Sequence, residues 1–143
     1  MVERFSLQKR VSTEHLDQLG HMNNVVYLQW MEQLAWAHSE HLGLGWGEYQ
    51  RLDAAMVARE HHLSYQAACF VGDALLCQTW LGQSNGLRLM RHYCFVRKSD
   101  QLEVFSAQTL WVCVRLSTGK ALRMPAVFRS AYGSSEDASP VQE

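Results

Sequence analysis

The sequence predicts an α+β protein in which an antiparallel curved sheet wraps round one long central helix. Two observations carry this. Residues 24–42 have helical spacing but almost no polar face, so other structure must surround them. From about Ala54 onward the apolar residues alternate in long runs, separated by turn signals, which is the pattern of antiparallel strands. The chain has 143 residues and no internal linker or repeat, which suits one domain over 1–132. The end, "GSSEDASPVQE" over 133–143, reads as a disordered tail.

Phe5 to Val11 is the first expected strand. In the helix, Leu28, Met31, Ala35, His38 and Leu42 follow a 3-4-3-4 spacing. Val25, Val26, Tyr27, Trp30, Leu34 and Trp36 spread the apolar surface well beyond that stripe. Only Gln29, Glu32, Gln33 and Glu40 leave a narrow wet edge. Gly43 and Gly45 are its stop signals. Strands follow over 56–65 and 74–81, then Asn85-Gly86 marks a hairpin into a strand over 87–98. The turn Ser99-Asp100-Gln101 leads to the strand over 102–116. There Leu102, Val104, Leu110, Val112, Val114 and Leu116 share one face, while Phe105 and Trp111 take the other phase. Pro125 can open a short helix reaching Tyr132. Bulk on both phases suggests pairing between subunits, first as a symmetric homodimer, with a homotetramer, a dimer of dimers, as the alternative.

Thirteen basic and fourteen acidic residues give a net charge of -1, which offers nothing to nucleic acid or an anionic membrane. The first ten residues lack an apolar signal region, and no run of about 18 apolar residues exists to span a bilayer. Cys69, Cys77, Cys94 and Cys113 are widely spaced in apolar runs, as reduced core residues of a cytoplasmic protein would be. His61 and His62 are neighbours on a strand and point to opposite faces, so they do not form a metal pair.

The chemistry gathers in "LDQLGHMNNVVYLQW", Leu16 to Trp30. Asn23 suits the N-cap of the helix. The amides of Asn24, Val25 and Val26 then lack intrahelical partners, at an end that carries partial positive charge. That is a seat for a developing oxyanion. Asp17 precedes it on a loop that Gly20 lets turn back, so a carboxylate and free amides can face one point. Acyl transfer or hydrolysis uses that arrangement. An aspartate before a helix also reads as simple favourable electrostatics, and His21 as a solvated loop histidine.

"HLDQLGHMNNVVYLQWMEQL" resembles the signature of hotdog-fold acyl thioesterases, in the 4-hydroxybenzoyl-CoA thioesterase family, and the related stretch of plant acyl carrier protein thioesterases. "LSYQAACFVGDAL" and "WVCVRLSTGKALRMP" resemble later strands of the same family, so the likeness runs over 2–132. The resemblance implies a hotdog fold and hydrolysis of an acyl-CoA, with no metal or other cofactor. It implies that Asp17 is the carboxylate, as nucleophile or as base for water. It implies that the helix-start amide of Asn24, with Val25, holds the carbonyl oxygen. His21 and Asn23 match polar positions that orient the loop, and Tyr27 a tyrosine beside the acyl pocket. Met31 and Met56 are expected along that pocket, and Glu60 is a second acidic candidate. Arg88 and Arg91 are candidates for the coenzyme phosphates, which guanidinium groups suit. The family often has Asp-Thr-Asp before the glycine. Here His15-Leu16-Asp17 keeps only the second carboxylate. An acyl carrier protein is the alternative thiol carrier. A hotdog hydratase and a non-catalytic acyl-CoA binder are the alternative functions, although the Asn-Pro hydratase motif is missing.

Overall fold

The computed structural model describes residues 3–133. The tail expected over 133–143 therefore lies, from residue 134 on, outside the described residues. Five strands, β1 (Phe5–Arg10), β2 (Ala54–Tyr65), β3 (Ala74–Ser84), β4 (Arg88–Arg97) and β5 (Leu102–Arg115), form one antiparallel sheet in the order β1-β3-β4-β5-β2. The long helix α1 spans Asn24–His41, and two short helices, α2 (Trp46–Leu52) and α3 (Ala126–Tyr132), complete the fold. A single 3-10 turn covers Thr13–His15.

The turns sit where the sequence places them. Asn85 Oδ1 accepts the N–H groups of Leu87 and Arg88 at 3.0 and 2.9 Å, and Gly86 takes φ +86°, closing β3 onto β4. Helix α2 is not anticipated by the sequence reading. Gly43 does end α1, with φ +86°, but Gly45 is the N-cap of a new helix instead of a loop residue. That helix ends at Asp53, whose carboxylate accepts the Ser117 N–H and hydroxyl at 2.9 and 2.7 Å.

The described residues fall into two compact units, 3–37 with 63–80 and 93–107, and 38–62 with 81–92 and 108–133. In the first, Tyr27 and Trp30 of α1 meet Phe95 of β4, and Tyr27 also meets Phe105 of β5 at 4.8 Å between ring centroids. Tyr93, Phe95 and Phe105 are essentially inaccessible, whereas Leu110 and Val112 stay partly open. On β4 the phase of Leu89, Tyr93 and Phe95 is the core phase, while on β5 neighbouring Val104 and Phe105 are both buried and Trp111 is partly exposed. In the second unit Leu44, Tyr49, Met56, Leu89, Met124 and Phe128 form the apolar core. A polar network crosses it: Arg91 Nη1 lies 2.9 Å from His38 Nδ1, and the Tyr132 hydroxyl bridges Ser39 Oγ (2.9 Å) and the Tyr49 hydroxyl (2.6 Å). All four cysteines are buried and unpaired.

Candidate active site

Residues 16–22 form a narrow loop. Leu16 and Met22 pair as an antiparallel bridge, and the Asp17 N–H donates to His21 O at 2.8 Å. The Gly20 N–H returns to Asp17 O at 3.1 Å, with Gly20 at φ +80°, a conformation that a side chain would strain. Buried Met22 anchors the loop, and its N–H donates to Cys69 O at 2.8 Å. The loop is thereby tied to the segment that follows β2.

Asp17 is held within this loop. Its Oδ1 accepts the N–H groups of Leu19 (2.9 Å) and His21 (3.2 Å). Among the described residues no hydrogen bond engages Oδ2, which leaves that oxygen for a ligand. Asn23 caps α1 as its sequence position suggests: Oδ1 accepts the Val25 N–H at 3.1 Å and the backbone oxygen accepts the Val26 N–H at 2.9 Å. The expectation of three free amides is corrected accordingly. Val25 and Val26 are satisfied by the cap, and Val25 is not an oxyanion donor in this arrangement. The Asn24 N–H has no acceptor among the described residues, so it is the amide left at the positive end of the helix.

Asp17, His21, Asn24 and Tyr27 line one pocket of about 380 Å³, together with Leu19, Met22 and residues 65–68. The far wall is made by the end of β2 and its following turn. There the Gln66 and Ala67 N–H groups donate to Val104 O, and Arg97 holds the Ala68 carbonyl at 3.1 Å. Arg97 also pairs with Asp100 at 2.8 Å and faces Asp73 at 3.8 Å, so its charge braces this wall. The pocket floor is aromatic. Tyr27 is 2 % exposed, stands edge-on to Tyr65 at 5.1 Å and abuts Phe105. Burial, reinforced by a hydrogen bond with Cys69, pushes the Tyr27 pKa far above the usual phenol range. Burial likewise raises the Cys69 thiol. Both stay neutral, and Asp17 is the acidic residue on the lining.

The other expected site residues lie elsewhere. His15, where the family often has a first aspartate, accepts the Ser12 N–H on Nδ1 at 2.9 Å and sits edge-on to Trp30 at 5.3 Å. It closes the 3-10 turn and does not reach the lining. Met31 is buried in α1, 1 % exposed, without lining the pocket. Met56 belongs to the core of the second unit, and Glu60 lies on β2 in the same unit with its side chain exposed. Arg88 is partly buried at the start of β4. Arg91 is 2 % exposed and its guanidinium faces His38, so the expectation that it meets a coenzyme phosphate is corrected. His61 donates to or accepts from Thr109 Oγ1 at 2.7 Å, and His62 is exposed on the opposite phase. Among the described residues no three metal-ligating side chains gather. The pocket residues that the sequence reading missed are Leu19, Met22 and the wall over 65–68. Tyr65 alone carried a local signal, as a bulky residue ending a strand before a polar and small-residue turn.

The chain is similar to known proteins over most of its length. The family model of the thioesterase-like superfamily matches residues 11–132. The long-chain acyl-CoA thioesterase FadM of Escherichia coli (strain K12) is 27 % identical over 125 residues, covering 85 % of this chain and 92 % of FadM. The crystal structure of Slr0204, a 1,4-dihydroxy-2-naphthoyl-CoA thioesterase from Synechocystis, superposes with a TM-score of 0.82 at 20 % identity, over 91 % of this chain and 96 % of that one. A DHNA-CoA thioesterase from Staphylococcus aureus gives 0.76 at 16 % identity, over 84 % and 80 %. At these identities the structural likeness establishes the hotdog fold. The family match is to the superfamily and does not single out the 4-hydroxybenzoyl-CoA branch.

Proposed function

Because this chain belongs to the thioesterase-like superfamily, we propose that it is an acyl-CoA thioesterase, which hydrolyses an acyl thioester to a carboxylic acid and free coenzyme A. One observation carries the reading: Asp17, with one oxygen fixed by two backbone amides, and Asn24, whose N–H is left at the helix start, line the same pocket. The names of its relatives support the thioester substrate. A carbonyl seated between these groups has its oxygen on the Asn24 N–H and its carbon within reach of the carboxylate. The amide stabilises charge as it develops on oxygen. Asp17 takes a proton from water as water adds, and returns it to the thiolate as the C–S bond breaks. In the alternative route Asp17 adds first and water then cleaves the acyl-aspartate. Single turnover in ¹⁸O-water tests the second route: water attacking the aspartyl carbonyl of the mixed anhydride leaves label in Asp17, which the first route never does. His21, edge-on to Phe70 at 5.3 Å, borders the site and shapes its mouth.

Water is the only co-substrate this chemistry needs; no metal or redox cofactor enters it. The proposed assembly is a homodimer. Strand β2 is a sheet edge, and residues 57–60 are exposed in succession on both of its faces, a bare edge that a second copy can cover. The proposed compartment is the cytoplasm, which the buried, unpaired cysteines suit. The test is a panel of acyl-CoAs and acyl carrier protein esters followed by thiol release, beside an enoyl-CoA hydration assay. Thiol release from acyl-CoA is the expected result. Hydration without thiol release, or tight binding of acyl-CoA without turnover, refutes it.

A further inference from the structure

We infer that Tyr65 is a positioning residue for this hydrolysis: its hydroxyl, donating to the Asn24 carbonyl oxygen at 3.0 Å, holds the first turn of α1 so that the Asn24 N–H stays aimed into the pocket. The inference rests on the thioesterase reading and names a component of it. Asn24 is exposed, and the next residue, Val25, is 58 % exposed. Buried Val26 and Tyr27 hold the inner face of the first turn, but the backbone at Asn24 and Val25 lies on its exposed side, where helix ends tend to fray. Two side-chain hydrogen bonds act on that exposed side. Asn23 caps the turn from within the helix. Tyr65, 41 residues away at the end of β2, fastens it from the opposite wall of the pocket.

Tyr65 is suited to that task. Its ring stands edge-on to Tyr27 at 5.1 Å and packs on Phe105 at 5.3 Å, and both neighbours are at most 2 % exposed. Tyr65 as a whole is 44 % exposed, so one side of its ring rests on these two core aromatics while the hydroxyl reaches the helix. Burial raises its pKa, so the group is a neutral donor throughout the working pH range. The carbonyl it grips and the N–H that would bind the oxyanion belong to the same residue, so fixing one constrains the dihedrals that orient the other. Oxyanion donors act only when held in place, and a displacement of about 1 Å costs about 100-fold in rate.

The test is Tyr65→Phe, which keeps the ring and its packing and removes one oxygen. With an acyl-CoA that the wild-type protein hydrolyses, kcat is expected to fall about 10-fold, inside the range that misplacement allows, with KM within twofold. Amide hydrogen exchange is expected to quicken at residues 24–26 and nowhere else in α1. Wild-type kcat in Tyr65→Phe overturns the inference while leaving the thioesterase reading intact. So does a rise in KM without change in kcat, or unchanged exchange at residues 24–26. A wild-type protein that hydrolyses no thioester overturns the underlying reading, and the inference with it.

Discussion

The buried contact between His38 and Arg91 makes stability depend on pH in a defined window. His38 is 5 % exposed, and its Nδ1 faces Arg91 Nη1 at 2.9 Å. The guanidinium can only donate, so Nδ1 accepts and the ring is neutral, with its proton on Nε2. Protonating Nδ1 would remove the acceptor and set a second cation against Arg91 in a site that water does not reach. Burial first, then the charges of Arg91 and His41, hold the His38 pKa down at about 4, against 6.5 for the free side chain. Between those values the unfolded chain binds a proton that the folded protein refuses. The contribution is therefore complete above pH 6.5 and is lost as pH falls from 6.5 toward 4. The interval corresponds to about 3 kcal/mol, at 1.36 kcal/mol per pKa unit. Urea unfolding at intervals from pH 7 to 4, on the wild type and on His38→Gln, isolates this contribution, because the carboxylates of both proteins titrate alike. The wild type is expected to lose about 3 kcal/mol more than the variant across the window. Parallel pH profiles for the two proteins would refute the assignment of His38 as a buried neutral acceptor.

Two further substitutions probe individual hydrogen bonds of the fold. Tyr132→Phe removes the hydroxyl shared by Ser39 and Tyr49, leaving two buried hydroxyls without that partner; a loss of about 1–3 kcal/mol by urea unfolding is expected, and an unchanged midpoint contradicts the bridge. Asn23→Ala frees the Val25 N–H and is expected to cost about 1 kcal/mol, whereas Asn23→Asp keeps an acceptor and most of that stability; equal losses in the two variants would show that the cap is not the cause.

Much of this architecture can be read from particular residues. Helix α1 is visible from its helical spacing, and the structure buries Val26, Trp30, Met31, Leu34 and Ala35 along it, but it is not buried all round: Val25 and Trp36, counted with its apolar surface, are 58 % and 43 % exposed. The pairing of Asp17 with the helix start follows from Gly20, which turns the loop, and from Asn23, which ends it. Arg91 shows what a composition-based reading overlooks. Taken with Arg88 and Arg97 it looks like a strand cation in water. A count by twos puts it in phase with Leu89, Tyr93 and Phe95, all buried, and that phase was the available signal. Helix α2 and the wall over 65–68 were less legible for different reasons. The first is a seven-residue helix set off by a glycine cap, with too little periodicity to register. The second becomes part of the site only through long-range hydrogen bonds, Met22 to Cys69 and Tyr65 to Asn24, which no local pattern encodes.

The central claim is that the Asp17 carboxylate acts on a thioester whose oxygen rests at the start of α1. The direct measurement is the rate of thiol release from acyl-CoA by Asp17→Asn beside the wild type, with the thermal midpoint of each recorded. Asparagine keeps an oxygen to accept the Leu19 and His21 amides and so preserves the loop, but it is neither base nor nucleophile. The account predicts a fall in kcat of about 100-fold or more with the midpoint little changed. Full activity in Asp17→Asn would contradict it.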